Sequence, residues 1–278
     1  MIKFTKMHGL GNDYIYIDCF SKSVVIENIC EYTKFISNRN FGVGADGVIL
    51  ICKSKVADFK MKMYNYDGSE AEMCGNGIRC LAKFVYEKKL TNKKEFSVET
   101  LAGVKNIKLE IINHEVKNVI VDMGEPIFIP EKIPVIFKGT SVKNLKIMAD
   151  DKSFSFTCVS MGNPHAVTLV KDVKNFNVNK YGKILEYSDK FPNRANIEFV
   201  EILDNRNIFM RVWERGTGET LACGTGACAS VVACNLNGFI KNEASVSLLG
   251  GKLYIKWNKI NNHVYMKGPA VTVFEGYL

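Results

Sequence analysis

The fold turns on one stretch, DGSEAEMCGNGIRCLAKFVYEKK, Asp67–Lys89. It sets Cys74 directly before Gly75, Asn76 and Gly77 and then runs into a helical pattern. Ile78, Leu81, Ala82 and Val85 fall at the i, i+3, i+4 and i+7 positions of one face, and Lys88 and Lys89 close the last turn, where cations suit the helix dipole. A second stretch, WERGTGETLACGTGACASVVACNLNG (Trp213–Gly238), repeats the arrangement with Cys223 before Gly224, Thr225 and Gly226. There Ala229, Val232 and Ala233 share a face, and Asn237 with Gly238 supplies a stop.

Three pairs of segments match across the chain. Gly11-Asn12-Asp13 answers Gly162-Asn163-Pro164-His165, GADGVILI around Asp46 answers RANIEFVE around Asn196, and EAEMCGNG answers ETLACGTG, at separations of 151, 150 and 149 residues. One shared tripeptide would mean nothing. Three in the same order at nearly constant separation indicate duplication of a half-length domain. Strand-like runs fill most of the rest: YIYID, DFKMKMY, EFSVET, KNVIVDM, FSFTCVSM, NIFMRVW, SVSLL, KLYIKW and AVTVFE. The expected architecture is α+β, two similar halves with one clear helix each, packed on or inside a curved sheet.

Length and composition agree with this reading. At about 150 residues per domain, 278 residues suggest two domains, and 47% hydrophobic residues without a long polar tract describe an ordinary globular protein. The longest apolar runs, such as GVILIC at Gly47–Cys52, are strand-sized, so no membrane segment is expected. The start MIKFTKMHGLGNDY lacks the apolar region of a signal peptide, which makes the expected location cytoplasmic. Nine cysteines, irregularly spaced and without a CxxC pair, argue against a disulfide framework and against a zinc site. Cys19, Cys30, Cys52, Cys80, Cys158, Cys228 and Cys234 read as packing residues. The net charge of +8 is spread along the chain and builds no dense basic run, so a nucleic-acid partner is not expected.

Cys74 and Cys223 read differently. A cysteine opening a helix meets unpaired backbone N–H groups and the positive end of the dipole, which favour thiolate. The dipole is worth about 0.3–1 kcal/mol at exposed sites, less than one pKa unit, so further help is needed to ionise a thiol near neutral pH. The adjacent glycines let a ligand approach a loop of free N–H groups suited to a carboxylate. If duplication makes the two loops face each other across an interdomain cleft, two sulfurs flank whatever lies between them. Like charges resist joint ionisation, so such a pair settles as one thiolate and one thiol. That state removes a proton from one face of a carbon and returns one to the other. No dinucleotide or phosphate-loop fingerprint is present, and cofactor-free proton transfer at the α-carbon of an amino acid is the consistent reading, a pyridoxal-binding lysine being left open by pattern alone.

The motifs MHGLGNDY, GADGV, YNYDGSEAEMCGNGIRC, MGNPHAV, RANIEFVE, WERGTGETLACGTGACA and GPAVTVFEG resemble those of the diaminopimelate epimerase family, in the same order and over essentially the whole chain. The resemblance implies two pseudo-symmetric domains, 1–121 plus 265–278 and 122–264, each a curved, mostly antiparallel sheet wrapped around a central helix, with the active site in the interdomain cleft. It implies a cytoplasmic homodimer that interconverts LL- and meso-2,6-diaminopimelate without cofactor or metal. Cys74 and Cys223 would be the two acid/base thiols, assisted by His165 and Glu214. Gly75, Asn76, Gly224 and Thr225 would hold the reacting carboxylate, and Asn12, Asn65, Asn163, Asn196, Glu214 and Arg215 would bind the substrate, chiefly at its distal end.

Physical chemistry supports that division: a zwitterionic end suits amides, one carboxylate, and a guanidinium able to grip a carboxylate in two places. Without the resemblance, Asn12 and Asn163 read as turn residues and Glu214-Arg215 as a surface pair. Tyr66, Thr217 and Ala195 depart from the family pattern, but no reacting group is missing. The alternatives are a related two-cysteine racemase of the proline racemase type, which has a histidine where this chain has Asn76, and a non-catalytic thiol redox protein.

Overall fold

The N-terminal run forms β1 (Lys3–Gly9), which turns at Leu10-Gly11 into the antiparallel β2 (Asn12–Asp18). A computed structural model describes residues 1–21 and 24–278, which divide into two units, Met1–Asp122 with Lys267–Leu278, and Met123–Met266. In the first unit α1 (Ile29–Ser37) precedes β3 (Gly47–Cys52), which is parallel to β2. Next come β4 (Phe59–Asn65), antiparallel to β3, the short β5 (Glu70–Ala71) and α2 (Gly75–Glu87). β6 (Glu95–Thr100) runs parallel to β4, and β7 (Gly103–Ile112) and β8 (Glu115–Asp122) follow as antiparallel neighbours.

The second unit repeats this order. β9 (Leu145–Ala149) pairs with β10 (Lys152–Ser160), β10 is antiparallel to β11 (Pro164–Leu169), and after α3 (Val178–Glu186) β12 (Asn196–Asp204) lies parallel to β11. β13 (Asn207–Glu214) and β14 (Gly218–Thr220) lead to α4 (Gly224–Leu236), and β15 (Glu243–Leu248) is parallel to β13 and antiparallel to β16 (Gly251–Trp257). β17 (Val264–Gly268) leads the chain back to the first unit, where β18 (Val271–Tyr277) pairs antiparallel with β1, as β9 does with β10.

The strand registers refine the sequence repeat. Ile15 faces Val48 in the first unit and Ala166 faces Ile197 in the second, so Asn196 corresponds to Gly47 and Glu198 to Ile49. The sequence alignment had set Asn196 against Asp46, one residue away. The same registers match Tyr14 with His165.

Helix content exceeds expectation, with two α-helices in each unit among the described residues. α1 and α3 are nine-residue helices held at their starts by asparagine: Asn28 Oδ1 accepts from Glu31 N (3.2 Å) and Asn177 Oδ1 from Lys180 N (3.0 Å). Neither shows in sequence because each is short and α3 has a glycine inside it. α2 is amphipathic as expected, but it ends at Glu87: Lys88 is the cap, and Lys89 lies beyond it with φ +59°. α4 is buried all round instead of on one face, and it stops at Asn237 with Gly238 at φ +76°.

Each unit has its own apolar core. Ile15, Ile17, Val48 and Leu50 pack with Phe4, Ile36 and Tyr64 in the first unit, and Phe154, Phe156, Ile197 and Phe199 pack with Leu185 and Phe191 in the second. None of the cysteines is joined in a disulfide among the described residues, and Cys30 is exposed on α1, against its reading as a packing residue.

Gly182 marks where α3 meets β13, since a β-carbon there would lie 2.6 Å from Trp213 Cβ and Cγ. Gly182→Ala should therefore destabilise the protein by about 1–3 kcal/mol through overpacking, lowering Tm by roughly 2–4 °C per kcal/mol. Thermal denaturation followed by circular dichroism checks this; an unchanged Tm would contradict the contact.

Candidate active site

Both cysteines are helix N-caps. Cys74 (φ −128°, ψ 121°) accepts from Gly77 N through Sγ at 3.3 Å, and Cys223 (φ −114°, ψ 114°) accepts from Gly226 N at 3.4 Å. The cap carbonyls already take the first helical bonds, from Ile78 N and Ala227 N. The glycine-x-glycine segments are thus the first helical turns and not the expected loops. The second glycine of each is needed for space: a β-carbon on Gly77 would meet Ile49 Cδ1 at 2.7 Å, and one on Gly226 would meet Glu198 Oε1 at 2.8 Å. Free N–H groups and the dipole at each helix start favour an anion beside the sulfur.

In the first unit, Asn12 is the hub. Its Oδ1 accepts from Cys74 Sγ (3.1 Å) and Asn76 Nδ2 (3.3 Å), while its Nδ2 donates to Asp46 Oδ2 (2.7 Å). Behind Asn76 lies Arg79, fully buried, which donates to Asn76 Oδ1 (2.9 Å), Gly75 O (3.0 Å) and Pro269 O (3.2 Å). Arg39 in turn donates to Asp46 Oδ1 at 2.8 Å. Of the expected residues, Asn12, Cys74, Gly75 and Asn76 come together here. Asn65 instead bonds Ser69 Oγ (3.1 Å) across the turn after β4.

In the second unit, Thr225 Oγ1 lies 3.4 Å from Cys223 Sγ, and Glu214 hydrogen-bonds both Cys223 and the Thr220 hydroxyl. Burial and the neighbouring Glu214 and Glu198 carboxylates push the Cys223 thiol well up, so it rests protonated. Burial also raises Glu214 above the usual carboxylate range, against the Thr220 hydroxyl and the charge of His165, which hold it down. His165 is fully buried between Glu198 Oε1 on Nδ1 (2.6 Å) and Asn163 Oδ1 on Nε2 (2.9 Å).

Asn196 spends both ends on the protein, donating to Pro164 O and accepting from Arg215 N, each at 2.9 Å. The Arg215 side chain is exposed and donates to Asn193 O at 3.2 Å. Asn163 and His165 thus form one hydrogen-bonded group with Glu198; Glu214, Cys223 and Thr225 form a second, and Asn196 and Arg215 meet at a turn.

Sequence reasoning missed Asp46, Arg79, Glu198 and Glu186, the last of which accepts from Trp213 Nε1 (2.8 Å) and Gly216 N (2.9 Å) and fixes the loop after Arg215. A signal existed for Glu198, an acidic residue inside a strand buried at Asn196 through Val200, and for Arg79, three residues after Asn76 on the same helix. A cavity of about 710 Å³ in the second unit, lined by Lys152, Phe154, Thr168, Phe176 and Asn237 among others, touches none of these residues. Among the described residues no cluster of three His, Cys, Asp or Glu side chains is arranged to hold a metal ion, and no helix is long and apolar enough to cross a membrane.

The family model for diaminopimelate epimerase matches residues 4–129 and 157–273. A diaminopimelate epimerase of Methanococcus maripaludis (strain C5) is 57% identical over 99% of both chains, and one of Acetivibrio thermocellus is 56% identical over 99% of this chain and 98% of its own. Among solved structures, a Bacillus anthracis phenazine biosynthesis protein of the PhzF family is similar with TM-score 0.71 at 18% identity, covering 99% of this chain and 98% of its own. A probable proline racemase from Agrobacterium radiobacter with bound carbonate is similar with TM-score 0.70 at 13% identity, covering 100% and 93%. These two likenesses are of fold.

Glu214 carries a pH-dependent expectation. Its carboxyl is raised in the folded protein, so its contribution to stability is present below the unfolded value near 4.5 and is lost as pH rises through the folded value. Glu214→Gln should raise Tm at neutral pH and lose that advantage as pH falls toward 4.5, in melts across a pH series. A constant offset at every pH would contradict the titration.

Proposed function

The chain belongs to the diaminopimelate epimerase family, and on that premise we propose that it interconverts LL- and meso-2,6-diaminopimelate by two-base proton transfer at the α-carbon, without a cofactor. The observation that carries this reading is the duplicated helix N-cap cysteine, Cys74 in one unit and Cys223 in the other, each with its sulfur at a helix start. One thiolate takes the α-proton while the other sulfur, as a thiol, delivers a proton to the opposite face. The product has the inverted centre, and the protonation states of the pair are exchanged.

The supporting groups fit the chemistry. The N–H groups of the first helical turns, at Gly75, Asn76, Gly224 and Thr225, would hold the reacting carboxylate and stabilise the charge that develops on it as the α-proton leaves. Glu214, in contact with Cys223, would relay that thiol's proton, and His165 would set the charge around it. Asn12, Asn65, Asn163, Asn196 and Arg215 would serve the distal amino acid end. Asn196 would do so mainly by holding the Arg215 backbone, since its Oδ1 is committed there.

That activity would serve lysine and peptidoglycan-precursor biosynthesis in the cytoplasm. A homodimer is supported by β18, whose Val271, Val273, Phe274 and Tyr277 are 43%, 52%, 46% and 63% exposed, apolar strand residues that a second copy would cover. A proline racemase activity is disfavoured by Asn76, which stands where that group has a histidine.

The test is deuterium incorporation from solvent into LL-diaminopimelate by the purified, cofactor-free protein, with proline as the control substrate. Cys74→Ala and Cys223→Ala should each lower net epimerisation by at least about 10²–10⁴-fold while the far-ultraviolet circular dichroism stays that of the parent. Parental turnover in either variant would refute the two-base scheme.

A further inference from the structure

The two half-sites are built on the same frame, and they differ at the buried position beneath each helix start. In the first unit the seat beneath the start of α2 is Ile49, fully buried, its Cδ1 standing 2.7 Å from where a Gly77 β-carbon would be. In the second unit the matching seat beneath α4 is Glu198, also fully buried, its Oε1 standing 2.8 Å from where a Gly226 β-carbon would be. The neighbouring strand differs as well, with Tyr14 in the first unit and His165 in the second. An aliphatic side chain therefore satisfies the packing of this frame. A buried carboxylate is at a disadvantage there, since replacing a buried ion pair by a well-packed hydrophobe is often neutral or stabilising. Glu198 bonds His165 Nδ1 through Oε1, whereas its Oε2 is buried with no hydrogen-bond partner among the described residues.

We propose that Glu198 is the positioning residue of the second half-site, holding His165 by its Nδ1–H and making Cys223 the proton-donating sulfur of the resting protein. The proposal rests on the two-thiol reading above and goes beyond it by giving the two thiols unequal resting roles. An acceptor-only carboxylate 2.6 Å from Nδ1 requires a hydrogen on that nitrogen, which fixes the ring and directs Nε2 at Asn163.

The groups facing Glu198 are His165 from β11, Cys158 from β10, Glu214 from the end of β13 and Cys223 from the start of α4. Its charge raises both thiols, and with Glu214 and burial it keeps Cys223 protonated. Glu198→Gln keeps the size and an acceptor but removes the charge. Glu198→Ile copies the first unit.

The experiment compares parent, Glu198→Gln and Glu198→Ile in two ways, one of which needs no substrate. Alkylation of Cys223 by iodoacetamide, followed by peptide mass mapping against pH, should show its midpoint at lower pH in both variants than in the parent. Nitrogen-15 spectra of the His165 ring, assigned with His165→Gln, should show Nδ1 carrying a hydrogen in every parent molecule and in only a fraction of Glu198→Ile. In the epimerase assay, kcat of Glu198→Gln should fall about 10- to 100-fold with KM within about threefold, and the alkaline limb of kcat/KM should move to lower pH.

Glu198→Ile should melt no lower than the parent while being at least as inactive. An unmoved Cys223 profile and unchanged His165 spectrum in both variants would overturn the proposal, as would parental kcat in Glu198→Gln. A parent that epimerises nothing but shows the expected alkylation and ring behaviour would count against the assigned reaction and leave the proton arrangement supported.

Discussion

Everything in the two half-sites depends on a sulfur being asked to cap a helix. An N-cap side chain must accept from the backbone N–H two or three residues on, and oxygen-bearing residues ordinarily do so. Here the acceptor is Cys74 or Cys223, at 3.3 and 3.4 Å from the third amide of its helix. The constraint fixes each sulfur on its helix axis and leaves the preceding N–H groups of the same turn facing outward from the cap. The glycines sit where the first turn packs on the strand below: β-carbons on Gly77 and Gly226 would press on the side-chain ends of Ile49 and Glu198. Structure and chemistry share the same atoms, and the cap is the point of contact.

Much of this was legible in the sequence. The two cysteine-glycine starts, the repeat, the strand-rich pattern and the amphipathic α2 follow from periodicity and spacing, because those signals are local and doubled. The units they build contain mixed, mostly antiparallel pairing, with parallel steps at β2–β3, β4–β6, β11–β12 and β13–β15. The short helices were not legible. α1 and α3 draw their stability from the cores they cover, through Ile36 in one and Leu185 in the other, and nine residues carry too little periodicity to stand out. The one-residue shift between Asp46 and Gly47 was also hidden, since only the pairing of neighbouring strands sets the alignment.

The candidate site was legible in its reacting groups and less so in what holds them. Asn12, Asn76, Cys74 and their counterparts lie in motifs. Arg79 and Glu198 sit behind those motifs, one on a helix and one inside a buried strand, and their roles come from partners distant in the chain. Arg79 reaches Pro269, and Glu198 reaches His165. A buried charge among apolar residues is the one local trace such residues leave. Asn65 shows the opposite case: it lies in a motif, yet its amide is engaged by Ser69 in its own turn.

The pairing of β18 with β1 has a consequence for how the chain is made. β1 can find this edge partner only after β18 has been translated, and at about 5–20 residues per second it waits roughly 13–55 s. The second unit is contiguous and can close first, while the N-terminal one stays open at that edge throughout elongation. Vectorial synthesis thus makes Lys267–Leu278 a latch, and a nascent chain truncated just before it keeps a bare strand edge that chaperones, or neighbouring nascent chains, would find.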